Sequence, residues 1–133
     1  MEPKLKRLLI TGAAGALGAY CRDNLHGIAK TLRVSDKVNL CATKVGTVVE
    51  NEEIILCDLA DANAVYELVK DCDGIIHFGG QSTEGSWSRV RDSNIEGMYN
   101  LYEATRLAKC TRIFYASSIH AIGYHSPMKV IDD

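Results

Sequence analysis

The amino-acid sequence predicts an α/β protein built on a doubly wound parallel sheet. Short apolar segments alternate with segments of helical periodicity along most of the chain. The first strand-like segment is followed at once by three regularly spaced glycines and a helix-like segment. Parallel strands need crossover connections, usually helices, and these crossovers are right-handed. The alternation therefore predicts one sheet with the strand order 3-2-1-4-5.

The first strand is predicted at Arg7–Thr11 and the first helix from Ala16 to about Leu25. The three glycines at this junction are Gly12, Gly15 and Gly18. We expect the first to allow a sharp turn, the second to let the backbone approach a pyrophosphate, and the third to let the helix pack close to the sheet. The helix N-terminus that follows attracts phosphate groups. In this context the glycines predict a dinucleotide site.

A secretory signal peptide is the alternative interpretation of the same segment. Lys4, Lys6 and Arg7 precede an apolar run that ends near Cys21. A signal peptide needs a continuous apolar region and a small-residue cleavage site. Three spaced glycines would weaken such a helix, and removal of the segment would take away the centre of the predicted sheet. We therefore favour the strand and helix.

Length, charge and cysteine content narrow the class of protein. The chain has 133 residues and a formal net charge of −2, which indicates one domain over residues 1–133. A net charge so close to zero does not indicate the basic surface that binds nucleic acid. No apolar run is long enough for a membrane span. The expected partner is a small molecule. The five cysteines form no C-x-x-C pair and the four histidines show no metal-ligand spacing, so we expect no metal and a cytoplasmic, reducing compartment.

The second strand, predicted at Leu32–Ser35, ends beside Asp36. A carboxylate about 20 residues past the glycines accepts hydrogen bonds from the adenosine ribose hydroxyls and repels a 2′-phosphate. Asp36 therefore favours NAD over NADP, although Lys37 beside it favours NADP. Without the glycines, Asp36 would be interpreted as a plain turn residue.

The middle of the chain contains the third strand and the second helix. The segment 38–53 is predicted as a loop or short ribbon, and the third strand as Ile54–Cys57. Asp58 follows this strand and is either a ligand of the adenine amino group or a cap of the following turn. Asp61 is expected to cap a helix that runs to about Lys70, with an apolar face made by Ala64, Val65, Leu68 and Val69.

The last third of the chain supplies two more strands and one long helix. The fourth strand is predicted at Gly74–Phe78, the helix from Ser86 to about Lys109, and the fifth strand at Arg112–Ala116. We expect Gly97 inside the helix to permit a close packing contact. The tail 119–133 is predicted to be irregular. Continuous apolar strands predict a sheet that is buried on both faces.

Candidate ligand positions fall at the carboxyl ends of the predicted strands, where open α/β sheets bind their ligands. They are Gly12, Asp36, Asp58, Gly79 and Ser118. Because these ends meet at one edge of a parallel sheet, the five positions together predict one site.

The motifs TGAAGALG (11–18), CDLAD (57–61), HFGG (77–80), NIEGMYNLYEA (94–104) and YASSIHAIGY (115–124) resemble those of the extended short-chain dehydrogenases/reductases. Within that group the chain is most similar to the NAD-dependent uronate dehydrogenases, essentially from end to end. The resemblance implies a Rossmann domain that oxidises the ring form of a hexuronate at C1 to an aldarolactone and passes a hydride to NAD. It also implies a homo-oligomer that is held together by the helix at 86–109.

The resemblance implies a role for individual residues. Ser118 is the serine that bonds the reacting oxygen, and Ser82, Ser118 and His120 face the sugar. The cofactor is lined by Gly12, Gly15, Ala16, Leu17, Gly18, Asp36, Asp58, Leu59, Phe78, Gly79 and Gly80.

Two departures from the family pattern affect what is expected. Ile119 stands where the uronate dehydrogenases carry an asparagine that touches substrate, so the identity of the sugar substrate is left open. The family's catalytic Tyr-x-x-x-Lys does not follow Ser118; Tyr66 and Lys70 have that spacing but fall on the second helix, away from the strand ends.

Because of the second departure, we expect the chain to be either the cofactor part of a longer enzyme, inactive alone, or a truncated non-catalytic NAD-binding module. A nucleotide-sugar epimerase or dehydratase on the same scaffold is the alternative enzyme.

Overall fold

The structure, a computed structural model, describes residues 5–40 and 51–123. Within them the strands are β1 (Leu5–Thr11), β2 (Ala29–Asp36), β3 (Glu52–Leu56), β4 (Gly74–His77) and β5 (Ile113–Tyr115). The helices are α1 (Ala16–Asn24), α2 (Ala62–Val69), α3 (Trp87–Val90) and α4 (Gly97–Leu107). A π-helical turn (Arg91–Glu96) joins α3 to α4, and a 3-10 turn (Ile119–Ile122) follows β5.

The five strands form one parallel sheet in the order β3-β2-β1-β4-β5. β1 lies at the centre, where Ile10 pairs with Val34 of β2 on one side and with Ile76 of β4 on the other. The predicted fold class and strand order are confirmed. The chain leaves β1 toward β2 and later returns to its opposite side, so the sheet has a switch point beside β1.

The two faces of β1 belong to two different apolar cores, as the period of two in a strand requires. Leu9 packs with residues of α2 and α4, among them Val65, Leu68 and Leu101. Leu8 and Ile10 pack on the other face with Leu32 and Val34 of β2 and with Ala13 after β1. The centre of the sheet is therefore buried on both faces, as predicted.

The outer strands depart from that expectation. Ile54 and Leu56 of β3 and Phe114 of β5 are each more than half exposed among the described residues. No described helix covers these positions, which is why apolar composition alone overstated their burial.

Helix α2 begins and ends on specific polar contacts. Asp61 caps it, since one of its carboxylate oxygens accepts hydrogen bonds from the N–H groups of Asn63 and Ala64, both at 3.0 Å. At the other end Nη1 of Arg33 donates to the carbonyls of Leu68 and Lys70 at 2.6 and 3.0 Å. The predicted cap is confirmed, and a buried arginine from β2 satisfies the last carbonyls of the helix.

Ion pairs explain why β3 begins earlier than predicted. The strand was expected from Ile54 but starts at Glu52, which pairs with Arg22 of α1 at 2.6 Å with both side chains nearly buried. Glu53 accepts hydrogen bonds from Arg33 and Arg7. Burial alone would raise the pKa of Glu53, but the two guanidinium groups outweigh it and hold the pKa below its usual value. Paired in this way, two charged residues extend the strand.

Other boundaries shift by one to three residues. β1 and β2 begin earlier than predicted because Leu5 pairs with Ala29, and β4 and β5 end one residue earlier. Ile119–Ile122 forms a 3-10 turn where an irregular segment was predicted, since Ser118 caps it. Positions 41–50 of the predicted loop and 124–133 of the tail lie outside the described residues.

The long helix predicted over 86–109 is continuous from Trp87 to Leu107 but contains the π-helical turn in its middle. Gly97 lies at the end of that turn and packs against Leu59: a Cβ at Gly97 would lie 2.8 Å from the Cβ of Leu59. The predicted close contact is therefore present. Over residues 5–40 and 51–123, no helix has the length and apolar character needed to cross a membrane.

Candidate functional site

One cleft opens at the carboxyl ends of the strands, beside the switch point of the sheet. The predicted positions that line it are Gly12, Gly15, Asp36, Asp58, Leu59, Phe78, Gly79, Gly80 and Ser82. They come from the carboxyl ends of β1 to β4 and the loops that follow, which the parallel sheet brings to a single edge. The convergence expected from the sequence is therefore observed for these nine residues.

Gly12 makes the turn by which the chain leaves β1. Its φ is +70°, a left-handed conformation that favours glycine. A Cβ at this position would lie 2.5 Å from the carbonyl carbon of Phe78, so the turn is pressed against the backbone that follows β4. Any side chain at Gly12 would force the two loops apart, and these loops line the same cleft.

The helix after the turn starts with Gly15 as its N-cap, and none of the described side chains caps this end by a hydrogen bond. Ala16, Leu17 and Gly18 are its first three residues, and they are not in the lining of the cleft. A Cβ at Gly18 would lie 2.1 Å from the carbonyl oxygen of Gly12. The close contact expected between this helix and the sheet is thus a contact with the glycine loop.

Asp36 ends β2 and bonds to the glycine loop. Its Oδ2 accepts a hydrogen bond from the N–H of Ala14 at 3.0 Å, and its Oδ1 accepts one from the N–H of Lys37 at 2.8 Å. The carboxylate is thereby held at the rim of the cleft with a fixed orientation. A negative group in this place favours hydroxyl donors and disfavours a phosphate.

Asp58 follows β3 and lines the same cleft. Its Oδ1 accepts a hydrogen bond from the N–H of Ala60 at 3.0 Å, which is the turn-capping contact that the sequence allowed. Cys57 also lines the cleft, and burial, with Asp61 and Asp58 nearby, raises the pKa of its thiol to about 11. Cys57 therefore stays a protonated thiol near neutral pH and is not a nucleophile.

A buried histidine lies under the floor of the cleft. Nδ1 of His77 is hydrogen-bonded to Oγ1 of Thr11 at 2.6 Å, and the ring stacks on Tyr115 with centroids 5.7 Å apart. Burial lowers the pKa of His77 to about 4. The imidazole is neutral near neutral pH and joins the ends of β1 and β4 by one buried hydrogen bond.

Ser118 and His120 lie after β5, outside the lining of the cleft. Oγ of Ser118 accepts a hydrogen bond from the N–H of His120 at 3.2 Å and lies 3.3 Å from its Nδ1. Ile119 between them is 82% exposed. The hydroxyl and the imidazole therefore form one polar group at the carboxyl edge of the sheet, while the capping contact considered as the alternative for Ser118 is also present.

Tyr66 lies on α2, and Lys70 is the C-cap of that helix. Nζ of Lys70 donates to Glu67 at 2.8 Å and lies 5.8 Å from the centroid of the Tyr66 ring. Neither residue lines the cleft. The two residues instead make their contacts with each other and with Glu67 on the outer surface of α2.

Five further residues line the cleft that were not among the predicted site residues: Thr11, Ser35, Lys37, Cys57 and Ser93. Four of them flank strand ends, so the strand boundaries could have indicated them. Ser93 comes from the π-helical turn, which no sequence pattern indicated. Within the described ranges, no group of three or more His, Cys, Asp or Glu side chains could hold a metal ion.

A parallel sheet with a glycine turn, an uncapped helix start and a carboxylate after β2, all around one cleft at the switch point, defines a dinucleotide-binding domain of the doubly wound class. The chain belongs to the NAD dependent epimerase/dehydratase family, which matches it over residues 8–132. The resemblance drawn from the motifs is confirmed, and NAD, the predicted cofactor, is the dinucleotide on which this family depends.

Several relatives carry more specific names. The chain is 47% identical over 126 residues to a uronate dehydrogenase from Pseudomonas putida, which covers 95% of this chain and 46% of the relative. A crystal structure of glucuronic acid dehydrogenase from Chromohalobacter salexigens superposes with a TM-score of 0.82 at 53% identity, covering 91% of this chain and 44% of that one. A mutant uronate dehydrogenase from Agrobacterium tumefaciens, complexed with NAD, gives a TM-score of 0.82 at 49% identity, covering 90% and 43%. The chain thus spans less than half the length of these relatives.

Proposed function

We propose that the cleft binds NAD and that the protein is an NAD-dependent dehydrogenase acting on a sugar acid. The observation that carries this proposal is the carboxylate of Asp36, held at the rim of a cleft whose floor is the glycine turn. The names of the relatives at 47–53% identity support the same activity.

The residues present fit a dinucleotide. Gly12 and Gly15 leave backbone without side chains beside the start of α1, where a pyrophosphate is stabilised by N–H groups and the helix dipole. Asp36 would accept hydrogen bonds from the adenosine ribose, and Asp58 with Leu59 would border the adenine. Phe78, Gly79 and Gly80 would border the other half of the cofactor. Ala16, Leu17 and Gly18 would contribute through the first turn of α1.

The proposed reaction is oxidation of a hexuronate in its ring form at C1, which gives an aldarolactone. The C1 hydroxyl loses a proton and C1 loses a hydride. The chemistry that NAD supplies when bound is acceptance of that hydride. Ser118 would hydrogen-bond the reacting oxygen, and Ser82 and His120 would orient the sugar; the contact between Ser118 and His120 gives the serine hydroxyl a fixed neighbour.

The proposal assigns no base to residues 1–133. No Tyr-x-x-x-Lys follows Ser118 within the 133 residues, and Tyr66 and Lys70 are not in the lining of the cleft. We propose that the 133 residues on their own bind NAD without turnover. Ile119 in place of an asparagine leaves the identity of the hexuronate open.

A homo-oligomer is the proposed assembly. On the helix at 87–107 the side chains of Ile95, Tyr99 and Tyr102 are between 46% and 68% exposed. Aromatic and aliphatic side chains exposed together on one helix favour a protein interface. The helix continues through the π-helical turn, so these residues lie on one continuous element.

Product analysis on the complete protein tests the activity. Incubation with NAD and a hexuronate should produce NADH and an aldarolactone in equal amounts. An epimerase or dehydratase of the same family would change the sugar with no net formation of NADH, and a non-catalytic module would bind NADH and leave the sugar unchanged. Either of those results would contradict the proposed dehydrogenase.

A further inference from the structure

Asn94 joins the π-helical turn to the loop that follows β4. Its Oδ1 accepts a hydrogen bond from the N–H of Gln81 at 2.6 Å, and its Nδ2 donates to the carbonyl oxygen of Gln81 at 2.9 Å. Both backbone groups of one loop residue are thus satisfied by one side chain. Ser93 supports the arrangement, since its Oγ donates to Oδ1 of Asn94 at 2.9 Å.

Gln81 lies between two residues of the cleft, Gly80 and Ser82. The contact with Asn94 therefore fixes the backbone of the wall that β4 contributes. The amide is partly buried, where replacing it would leave the N–H and carbonyl of Gln81 without their partner.

Asn100 makes an equivalent contact with the opposite wall. Its Nδ2 donates to the carbonyl oxygens of Leu59 and Ala60 at 2.9 and 3.3 Å. Leu59 lines the cleft after β3 and packs against Gly97, which lies between the two asparagines on the same helix. One helix thus holds both the loop after β3 and the loop after β4.

The π-helical turn lies directly at this point. The N–H of Gly97 donates to the carbonyl of Asp92, five residues earlier, as a π-helix requires. Such turns occur as single interruptions of α-helices, frequently at functional sites. Here the turn carries Ser93, which lines the cleft, and Asn94 beside it.

From this geometry we infer that Asn94 and Asn100 are positioning residues that fix the width of the dinucleotide cleft by fastening its two walls to one helix. The inference rests on the proposed binding of NAD in that cleft. Neither asparagine needs to touch the cofactor. A cleft whose walls are already in place loses less conformational freedom on binding, so its affinity is higher.

The test is a titration of the purified protein with NADH, followed by the emission of Trp87, which is the sole tryptophan of the sequence. Trp87 begins α3, six positions after Gln81, and its emission overlaps the absorption of NADH. Energy transfer to bound NADH gives a spectroscopic signal of binding near the wall. Thermal unfolding of each variant is measured alongside.

The variants are Asn94→Ala, Asn94→Asp and Asn100→Asp. The two aspartate substitutions keep shape and volume but place a carboxylate oxygen against a carbonyl, so they test the hydrogen bond and not the packing. Each variant should raise the dissociation constant of NADH about tenfold, the effect of losing one or two hydrogen bonds of ordinary strength. Their thermal midpoints should fall as well, because each variant loses partly buried hydrogen bonds, so a control that loses a hydrogen bond away from the cleft is needed.

Thr105→Val is the matched control. Thr105 is buried on the same helix, and its Oγ1 donates to the carbonyl of Leu101 at 2.6 Å, away from the cleft. It should lower the thermal midpoint and leave NADH affinity unchanged.

Two results would overturn the inference. One is NADH affinity within about twofold of the unaltered protein in both isosteric aspartate variants. The other is an equal loss of NADH affinity in Thr105→Val, which would make lowered stability, and not the two asparagine contacts, the cause. If the unaltered protein itself fails to bind NADH, the proposed function fails first; if it binds and the asparagine variants bind equally well, only the inference fails.

Discussion

The carboxylate of Asp36 accepts a hydrogen bond from the backbone N–H of Ala14 at 3.0 Å, so the end of β2 is fastened to the glycine loop after β1. The same side chain therefore has two effects on the cleft. It sets the charge at the rim, and it restrains the loop on which the proposed pyrophosphate site depends.

Replacing Asp36 by alanine should change both affinity and cofactor preference. NADH should bind more weakly, because the loop loses its restraint. The affinity for NADPH should fall by less, or rise, because the repulsion of its phosphate is removed. An uncompensated carboxylate that faces a phosphate costs a few kcal/mol, so the preference for NADH should shrink by about tenfold or more. Fluorescence titration with NADH and with NADPH measures this change in the ratio of the two dissociation constants.

Glu67→Ala is the matched control for charge, since Glu67 is an exposed carboxylate on α2 that pairs only with Lys70 among the contacts in the described part of the chain. It should leave both affinities unchanged. If both variants reduced the preference for NADH over NADPH equally, the net charge of the protein, and not the position of Asp36, would be the cause of that preference.

Ser118 and Tyr66 should differ sharply in their effect on turnover of the complete protein. Ser118→Ala should lower turnover by about a hundredfold and leave NAD affinity nearly unchanged, because the lost hydrogen bond acts on the reacting oxygen. Tyr66→Phe should have almost no effect, because the ring lies on the outer surface of α2. Steady-state kinetics with varied hexuronate checks both, and loss of activity in Tyr66→Phe alone would remove Ser118 from the site.

His120→Ala should act mainly on sugar binding. The imidazole lies beside Ser118 at the carboxyl edge of the sheet, where the proposed substrate binds. Its loss should raise the KM for the hexuronate more than it lowers kcat. A fall in kcat with unchanged KM would instead place His120 in the chemical step.

The buried imidazole of His77 should make stability depend on pH. Burial lowers the pKa of His77 to about 4 in the folded protein, while an unfolded histidine has a pKa near 6.5. Between these values the unfolded chain binds the extra proton, so the free energy of unfolding falls as the pH falls, by up to about 1.4 kcal/mol per pH unit.

Urea unfolding at several values between pH 4.5 and 6.5 measures this slope. Glu53 has a lowered pKa and contributes the same sign, but its share is lost only as the pH falls below its ordinary value of 4.5. His77→Gln should be less stable at neutral pH and should show a smaller slope. An unchanged slope in that variant would assign the pH dependence to other groups.

The exposed face of the helix at 87–107 should hold the proposed oligomer together. Light scattering on the complete protein at micromolar concentration should report a dimer or larger species. Tyr99→Lys combined with Tyr102→Lys should shift it toward monomer, because two buried charges would face the partner copy. Tyr20→Lys, at a tyrosine of α1 that is 68% exposed, is the control and should leave the assembly unchanged. A monomer in the unaltered protein would contradict the proposal.

The features that sequence predicted well are local or periodic. The turn at Gly12, the cap at Asp61 and the alternation of strands and helices each depend on neighbouring residues, and right-handed crossovers then dictate the strand order. The nine residues gathered at the cleft follow from that order, since each lies at the carboxyl end of a strand or in the loop after it.

The features that sequence missed depend on partners far along the chain. Glu52 extends β3 only because Arg22 pairs with it, 30 positions away. Asn94 bonds to Gln81 and Asn100 to Leu59 across loops whose approach no period in the sequence records. Gly97, at the end of the π-helical turn, likewise packs against Leu59, which lies far earlier in the chain.

The measurement that bears most directly on the central claim is the titration of the unaltered 133-residue protein with NADH and with NADPH under identical conditions. The account predicts that NADH binds and that it binds at least about tenfold more tightly than NADPH, because a fixed carboxylate at the rim of the cleft repels the additional phosphate. Tighter binding of NADPH, or no binding of either dinucleotide, would contradict the assignment of this cleft.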